Sequence, residues 1–143
     1  MHLKKPEWIR VKIQGSSTMS KVNSLISSLS LNTVCNEANC PNRMECYERG
    51  TAAFMILGRN CTRNCTFCNV TRRKPDKVDP MEPENVAKAV VKLKLKHAVI
   101  TSVTRDDLAD QGANQFARVV EQIRKLAPHV SIELLIPDMQ GNK

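Results

Sequence analysis

Ala52-Ala53-Phe54-Met55-Ile56-Leu57 is an apolar run closed by Gly58, and the chain then turns polar into Cys61-Thr62-Arg63-Asn64-Cys65-Thr66-Phe67-Cys68. A short continuous apolar run bounded by a glycine reads as a buried strand. The polar stretch over 59–81 reads as a long loop. Beyond it, Glu82 to Lys94 predicts a helix. Pro83 suits a first turn, and Glu82 and Glu84 suit its positive end. Val86, Val90 and Leu93 form its apolar stripe. A second buried strand is predicted over Ala98 to Val103. A second helix follows over Ala113 to Leu126, with Phe116, Val119, Val120 and Ile123 on one face. Pro128 stops that helix. Ser131 to Ile136 predicts a third strand, which Pro137 closes.

The order from residue 52 is therefore strand, loop, helix, strand, helix, strand. Apolar strands alternating with amphipathic helices imply a parallel sheet with right-handed crossovers. The expected fold is α/β: a parallel, TIM-like partial β/α barrel with only its first three strands over residues 51–143. Residues 1–50 are expected to form a cysteine-rich N-terminal extension. In it, Trp8, Ile9, Val11 and Ile13 suggest a short extended stretch, and Gly15 and Ser16 break it. Val22, Leu25, Ile26 and Leu29 predict a helix over 18–30. Residues 35–50 read as irregular.

At 143 residues the chain is long enough for one domain with a real core. No apolar run approaches the roughly 20 residues that span a bilayer, so no membrane is expected. The N-terminus lacks the apolar segment of an export signal, which points to the cytoplasm. A formal charge of +8 implies an acidic partner. Aromatics make up only 3% of the chain, which leaves few stacking platforms for single-stranded nucleic acid. With no helix-turn-helix or finger spacing either, no nucleic acid is expected and an acidic protein surface is the better partner. Part of the charge, at Lys92, Lys94 and Lys96, sits where a helix C-terminus favours cations.

All six cysteines fall between Cys35 and Cys68. Disulfides would staple only the first half of a chain with no export signal, so metal binding is the better reading. Cys61, Cys65 and Cys68 form CxxxCxxC just past the C-terminal end of the first barrel strand, the end that carries active sites in such barrels. Three thiolates at that spacing suit one face of a cubane cluster and leave its fourth iron open. A structural zinc needs four ligands. His97 and His129 precede strands and so lie at the other end of the sheet, and His2 is in the tail. Cys35, Cys40 and Cys46 form a second triplet, again one ligand short. Inert buried thiols are the bland alternative. One pooled metal site would leave two thiols over, so two separate clusters is the simpler assignment.

With these residues the chain resembles the radical S-adenosylmethionine (SAM) superfamily, through Cys61-x3-Cys65-x-Phe67-Cys68 at the top of a first barrel strand. The upstream Cys35-x4-Cys40-x5-Cys46 narrows the resemblance to the lipoyl synthase family. Gly50 to Gly58, Ser102-Val103-Thr104-Arg105-Asp106-Asp107-Leu108 and Glu133-Leu134-Leu135-Ile136-Pro137-Asp138 agree with it. The similarity runs from about Trp8 to Asn142. Two departures stand out. Gln111-Gly112 replaces the paired glycines usual in the family. Family members are also considerably longer and carry a C-terminal Arg-Ser-Ser-Tyr motif, in which a serine is the auxiliary cluster's fourth ligand.

The resemblance implies two 4Fe–4S clusters and SAM as cofactors. Cys61, Cys65 and Cys68 would hold the cluster that binds SAM. Cys35, Cys40 and Cys46 would hold an auxiliary cluster that gives up its sulfur. SAM cleavage would yield a deoxyadenosyl radical that abstracts hydrogen from an octanoyl chain carried on a lipoyl carrier protein, chemistry that a radical cofactor must supply. SAM contacts are implied at Ser102 and Thr104 and are open for Phe67 and Glu133. For Glu133, the alternative is a buried Arg or Lys partner. For Asp106 and Asp107, pairing with Arg105 or a turn cap is the better reading. Implied partners are the octanoylated carrier, an electron donor such as a flavodoxin or ferredoxin, and the missing C-terminal half, in cis or in trans. The isolated chain is expected to be incomplete as an enzyme. The competing class is a non-catalytic metal-binding module, either a structural zinc or an electron-carrying iron–sulfur protein.

Overall fold

A computed structural model describes residue 6, residues 17–49 and residues 51–141. The extended stretch expected around Trp8 lies outside the described residues. Helix α1 spans Ser17–Ser28, close to its expected limits, and buries Val22 and Ile26. Three parallel strands follow the predicted order: β2 (Thr51–Ile56), β3 (His97–Ser102) and β4 (Ser131–Leu135). Between them run α4 (Glu82–Lys92) and α5 (Ala113–Leu126). Strand β2 pairs with β3 from Thr51 opposite His97 to Ile56 opposite Ser102.

The region expected to be irregular is not so over 35–49. It holds the short helices α2 (Val34–Glu37) and α3 (Arg43–Glu48). Before them lies β1 (Asn32–Thr33), which pairs antiparallel with β2 through Asn32 opposite Met55 and Thr33 opposite Phe54. The sheet among the described residues thus has four strands in the order β1-β2-β3-β4. Thr33 explains the turn from strand to helix. Its backbone is extended, and its side-chain oxygen accepts from the Asn36 amide at 3.2 Å, capping α2.

Alternation along the strands assigns the faces. Ala52, Phe54, Ile56, Ala98 and Ile100 are fully buried and share one cluster with Val86 and Val90 of α4 and Val119 and Ile123 of α5. That cluster extends to Val22, Ile26, Cys35 and Tyr47, so the N-terminal helices share the core of the sheet. Strand β4 lies at the sheet edge, and Leu134, Leu135 and Ile136 are exposed there. This mostly parallel α/β sheet fits a partial β/α barrel. No helix among the described residues is long and apolar enough to cross a membrane.

The departure at Gln111-Gly112 has a backbone consequence. Both residues adopt left-handed angles, φ 50° and 93°, on the way into α5. Gln111 therefore takes a conformation that glycine adopts without steric cost. It is held there by its side-chain amide, which donates to the Met139 carbonyl at 3.1 Å. Gly112 has no such freedom to change: a Cβ there would stand 2.2 Å from Leu57 Cδ1. Gly112→Ala is expected to cost roughly 2 kcal/mol or more, since left-handed strain and overpacking each cost about 1–3 kcal/mol. A lowered denaturation midpoint would register it. An unchanged midpoint would show that the turn can relax.

Candidate iron–sulfur and SAM site

The loop holding Cys61, Cys65 and Cys68 leaves β2 through Leu57, whose φ of 68° turns the chain sharply. Two buried charged side chains hold that turn. Glu82 accepts from the Leu57 amide with both carboxylate oxygens, at 3.1 and 3.0 Å, and from Gln115 Nε2 at 2.8 Å. Arg105 donates to the Leu57 carbonyl at 3.1 Å and grips Asp107 through Nε and Nη2. Burial pushes the Glu82 carboxyl above its ordinary value, against the opposing pull of the Gln115 and Leu57 hydrogen bonds. The sequence assigned Glu82 only to the helix end. Its larger part is to fix where the cysteine loop begins.

Cys61 is bound into the structure through its sulfur. The amides of Thr104 and Arg63 point at Sγ from 3.3 and 3.4 Å. Both are donors that a sulfur can accept, and they fix where Sγ stands. Thr104 also accepts, through its carbonyl, from the Thr62 amide and hydroxyl at 3.2 and 3.0 Å. The structure therefore brings Thr104 to the cysteine loop as expected, by its backbone. Cys65 and Cys68 are exposed on the following turn, closed by the Cys68 amide on the Cys65 carbonyl at 3.1 Å. Between them Phe67 is 91% exposed and seals nothing.

Arg63, inside the cysteine motif, joins three loops at this end of the sheet. It grips Asp106 after β3 at 2.9 and 2.8 Å and reaches Asp138 after β4 at 2.9 Å. Thr62 and Gln140 add hydrogen bonds to Asp106, each at 2.9 Å. The sequence offers Asp106 and Asp107 as partners of Arg105 or as turn caps. Arg105 takes Asp107, and Arg63 takes Asp106 because the parallel register sets the β2 and β3 loops side by side. The Arg63 bonds hold the Asp106 carboxyl down at about 2. An unfolded aspartate titrates near ~3.9, so the contribution of Asp106 is complete above that value and is lost as pH falls through about 2. Amide exchange of the cysteine loop should therefore show no clamp-linked change between about pH 5 and 8. Arg63→Ala should free the loop and weaken iron binding at the second triplet by roughly 10–100-fold, the range for removing groups that orient metal ligands. Unchanged exchange and iron affinity in that variant would remove Arg63 from this role.

The other expected contacts divide. Ser102 ends β3, and alternation gives it the helix-facing side shared by Ala98 and Ile100. Its hydroxyl is buried with no hydrogen-bond partner among the described residues. Glu133 is exposed and bonds His97 Nε2 at 3.0 Å. Its partner is thus the histidine that opens β3, not a buried Arg or Lys, and its carboxylate leans away from the cysteine end.

In the first triplet Cys35 lies on α2 and Cys46 on α3, with Cys40 between the two helices. The Cys40 amide donates to the Cys35 carbonyl at 3.1 Å. Burial raises the Cys46 thiol, and Cys35 and Cys40 are near enough to raise it further. Tyr47 packs behind them, its hydroxyl 3.4 Å from the Thr33 hydroxyl, and burial pushes it up to about 12. Among the described residues, no three Cys, His, Asp or Glu side chains are already gathered around one point as a metal site. Even so, the donors suit the expected group. Each triplet offers cysteine sulfur alone, the donor that holds iron–sulfur clusters. Cys61 carries the amide donors that stabilise a ligating sulfur.

Residues 55–139 match the Radical SAM superfamily. The chain is 57% identical over 140 residues to a lipoyl synthase of Alkaliphilus metalliredigens, covering 98% of this chain and 48% of that protein. It is 51% identical over 143 residues to a lipoyl synthase of Caldicellulosiruptor saccharolyticus, covering 100% of this chain and 50% of that protein. It spans about half the length of these relatives. The match takes in the end of β2, the cysteine loop that follows it, β3 and β4, the parts that build the site described above. On these grounds the chain belongs to the radical SAM superfamily.

Proposed function

We propose that this chain supplies the N-terminal half of a lipoyl synthase, the radical SAM enzyme that inserts two sulfur atoms into an octanoyl chain on a lipoyl carrier protein. The observation carrying this is the pair of cysteine triplets in a chain so similar to lipoyl synthases, with Cys61 already hydrogen-bonded through sulfur at the C-terminal end of β2. Residues 51–143 would form the SAM-cleaving part and residues 1–50 the auxiliary part. Cys61, Cys65 and Cys68 would hold one 4Fe–4S cluster, and Cys35, Cys40 and Cys46 a second.

When bound, the first cluster supplies the electron that splits SAM, and the auxiliary cluster supplies sulfur. The protein's own residues do the positioning. Leu57, held by Glu82 and Arg105, fixes the loop's origin. Arg63 ties the loop to its neighbours. Phe67, whose ring is exposed, would lie against the adenine. Of the remaining proposed SAM contacts, Thr104 stands at the cysteine loop, whereas Ser102 would have to turn from the helix side and Glu133 would have to exchange His97 for the ligand. The remaining strands, in cis or in trans, would pair with the β4 edge and cover Leu134 and Leu135. Electrons would come from a flavodoxin or ferredoxin.

Anaerobic reconstitution with iron and sulfide, followed by dithionite and SAM, tests this reading. A brown protein that bleaches on reduction and releases deoxyadenosine is expected. A colourless protein that takes up zinc in preference to iron would contradict it and favour a structural metal module.

A further inference from the structure

The segment after the cysteine loop carries Arg72, Arg73, Lys74 and Lys77, all exposed. Among the described residues none of the four has an acidic partner within ion-pair distance. The two acids of the same segment are engaged by neutral donors instead. Asp76 accepts from the Arg59 amide at 3.2 Å and from Asn60 Nδ2 at 3.1 Å. Asp79 accepts from the Met81 amide at 2.8 Å. The cations are therefore left uncompensated.

The backbone fixes where they stand. The Cys61 amide donates to the Thr71 carbonyl at 3.0 Å, and Cys61 and Arg72 form an isolated parallel bridge. This pins the start of the segment beside the first cysteine of the loop. The other exposed cation group, Lys92, Lys94 and Lys96, lies at the end of α4 and just before β3, at the opposite end of the sheet.

We propose that Arg72, Arg73, Lys74 and Lys77 form the docking face for an acidic protein domain that presents its acyl-lysine to the cysteine loop. The proposal rests on the function proposed above. It adds the location of the contact: the rim of the site, and not the charge of the chain as a whole. An unpaired cation group beside the entrance attracts an acidic domain and orients it. Such attraction acts mainly on the association rate and weakens as salt rises.

The test uses the whole chain, reconstituted together with the C-terminal half of the enzyme, and an octanoylated acidic carrier domain as probe. Arg73→Glu/Lys74→Glu/Lys77→Glu is compared with Lys92→Glu/Lys94→Glu/Lys96→Glu, which changes the net charge equally. The first variant should associate with the carrier about 10-fold or more slowly and lose most of the salt dependence, in line with the rate gains that charge steering provides. The second, whose net charge equals that of the first, should stay within about 3-fold of the unmodified protein, because the charges it changes lie at the opposite end of the sheet. Arg73→Gln/Lys74→Gln/Lys77→Gln should lie between. Equal losses in both Glu variants, or no loss in the first, would overturn the docking face. So would retained carrier binding together with loss of RNA binding, which would assign the patch to nucleic acid. SAM cleavage without carrier is measured in parallel. Its absence from the unmodified protein counts against the proposed function, whereas its persistence with unchanged carrier association counts against the docking face alone.

Discussion

Replacing Cys61, Cys65 and Cys68 together by alanine is expected to abolish SAM cleavage and leave the other cluster in place. The three residues sit in one loop at the C-terminal end of β2, and their removal touches none of the residues that build α2 and α3. Cys61 is only partly buried, while Cys65 and Cys68 are exposed, so the fold loses little packing. Iron and sulfide in the complete enzyme should fall by about half, because the proposed assignment gives one cubane to each triplet. The reciprocal variant, Cys35→Ala/Cys40→Ala/Cys46→Ala, should keep SAM cleavage and lose sulfur insertion. Cys35 is buried beside Tyr47, so Ser in place of Ala at that position provides a check on stability. Loss of all iron from a folded Cys61/Cys65/Cys68 variant would mean that the triplets share one site.

The second large effect concerns the product. On an octanoylated carrier peptide with SAM and a strong reductant, the 143-residue chain alone is expected to cleave SAM without adding two sulfurs. Strand β4 has a free edge among the described residues, and Leu135 and Ile136 are 52% and 59% exposed. A radical formed over a sheet covered on one face meets solvent, where competing reactions consume it. The proposed auxiliary site has three thiols, Cys35, Cys40 and Cys46, one fewer than the four irons of a cubane. Supplying the remaining strands in trans should restore the mass gain of two sulfurs. Lipoyl product at an enzyme-like rate from the 143-residue chain by itself would show that this smaller fold is sufficient.

Much of the scaffold was legible because its signals are local. The apolar runs at 52–57 and 98–103 and the stripe of Phe116, Val119 and Ile123 each declare their element without help from the rest of the chain. Strand β1 and helices α2 and α3 were not legible. At two, four and six residues they are too short to show a period, and β1 and α2 form because Thr33 both pairs with Phe54 and caps α2. The cysteine spacing announced the candidate metal ligands. The residues supporting them gave no such signal. Arg63 could be recognised only once three loops were known to meet, and Glu82 looked like any acidic residue at a helix start. The His97 partner of Glu133 follows from strand register, which sequence alone leaves open.

Electron paramagnetic resonance of the reduced chain carrying Cys35→Ala/Cys40→Ala/Cys46→Ala, with and without SAM, is the most direct test that Cys61, Cys65 and Cys68 form a complete SAM-binding cluster site. The expected result is a single reduced 4Fe–4S signal that changes shape when SAM is added. A folded protein that retains no iron, or a cluster signal indifferent to SAM, would contradict it.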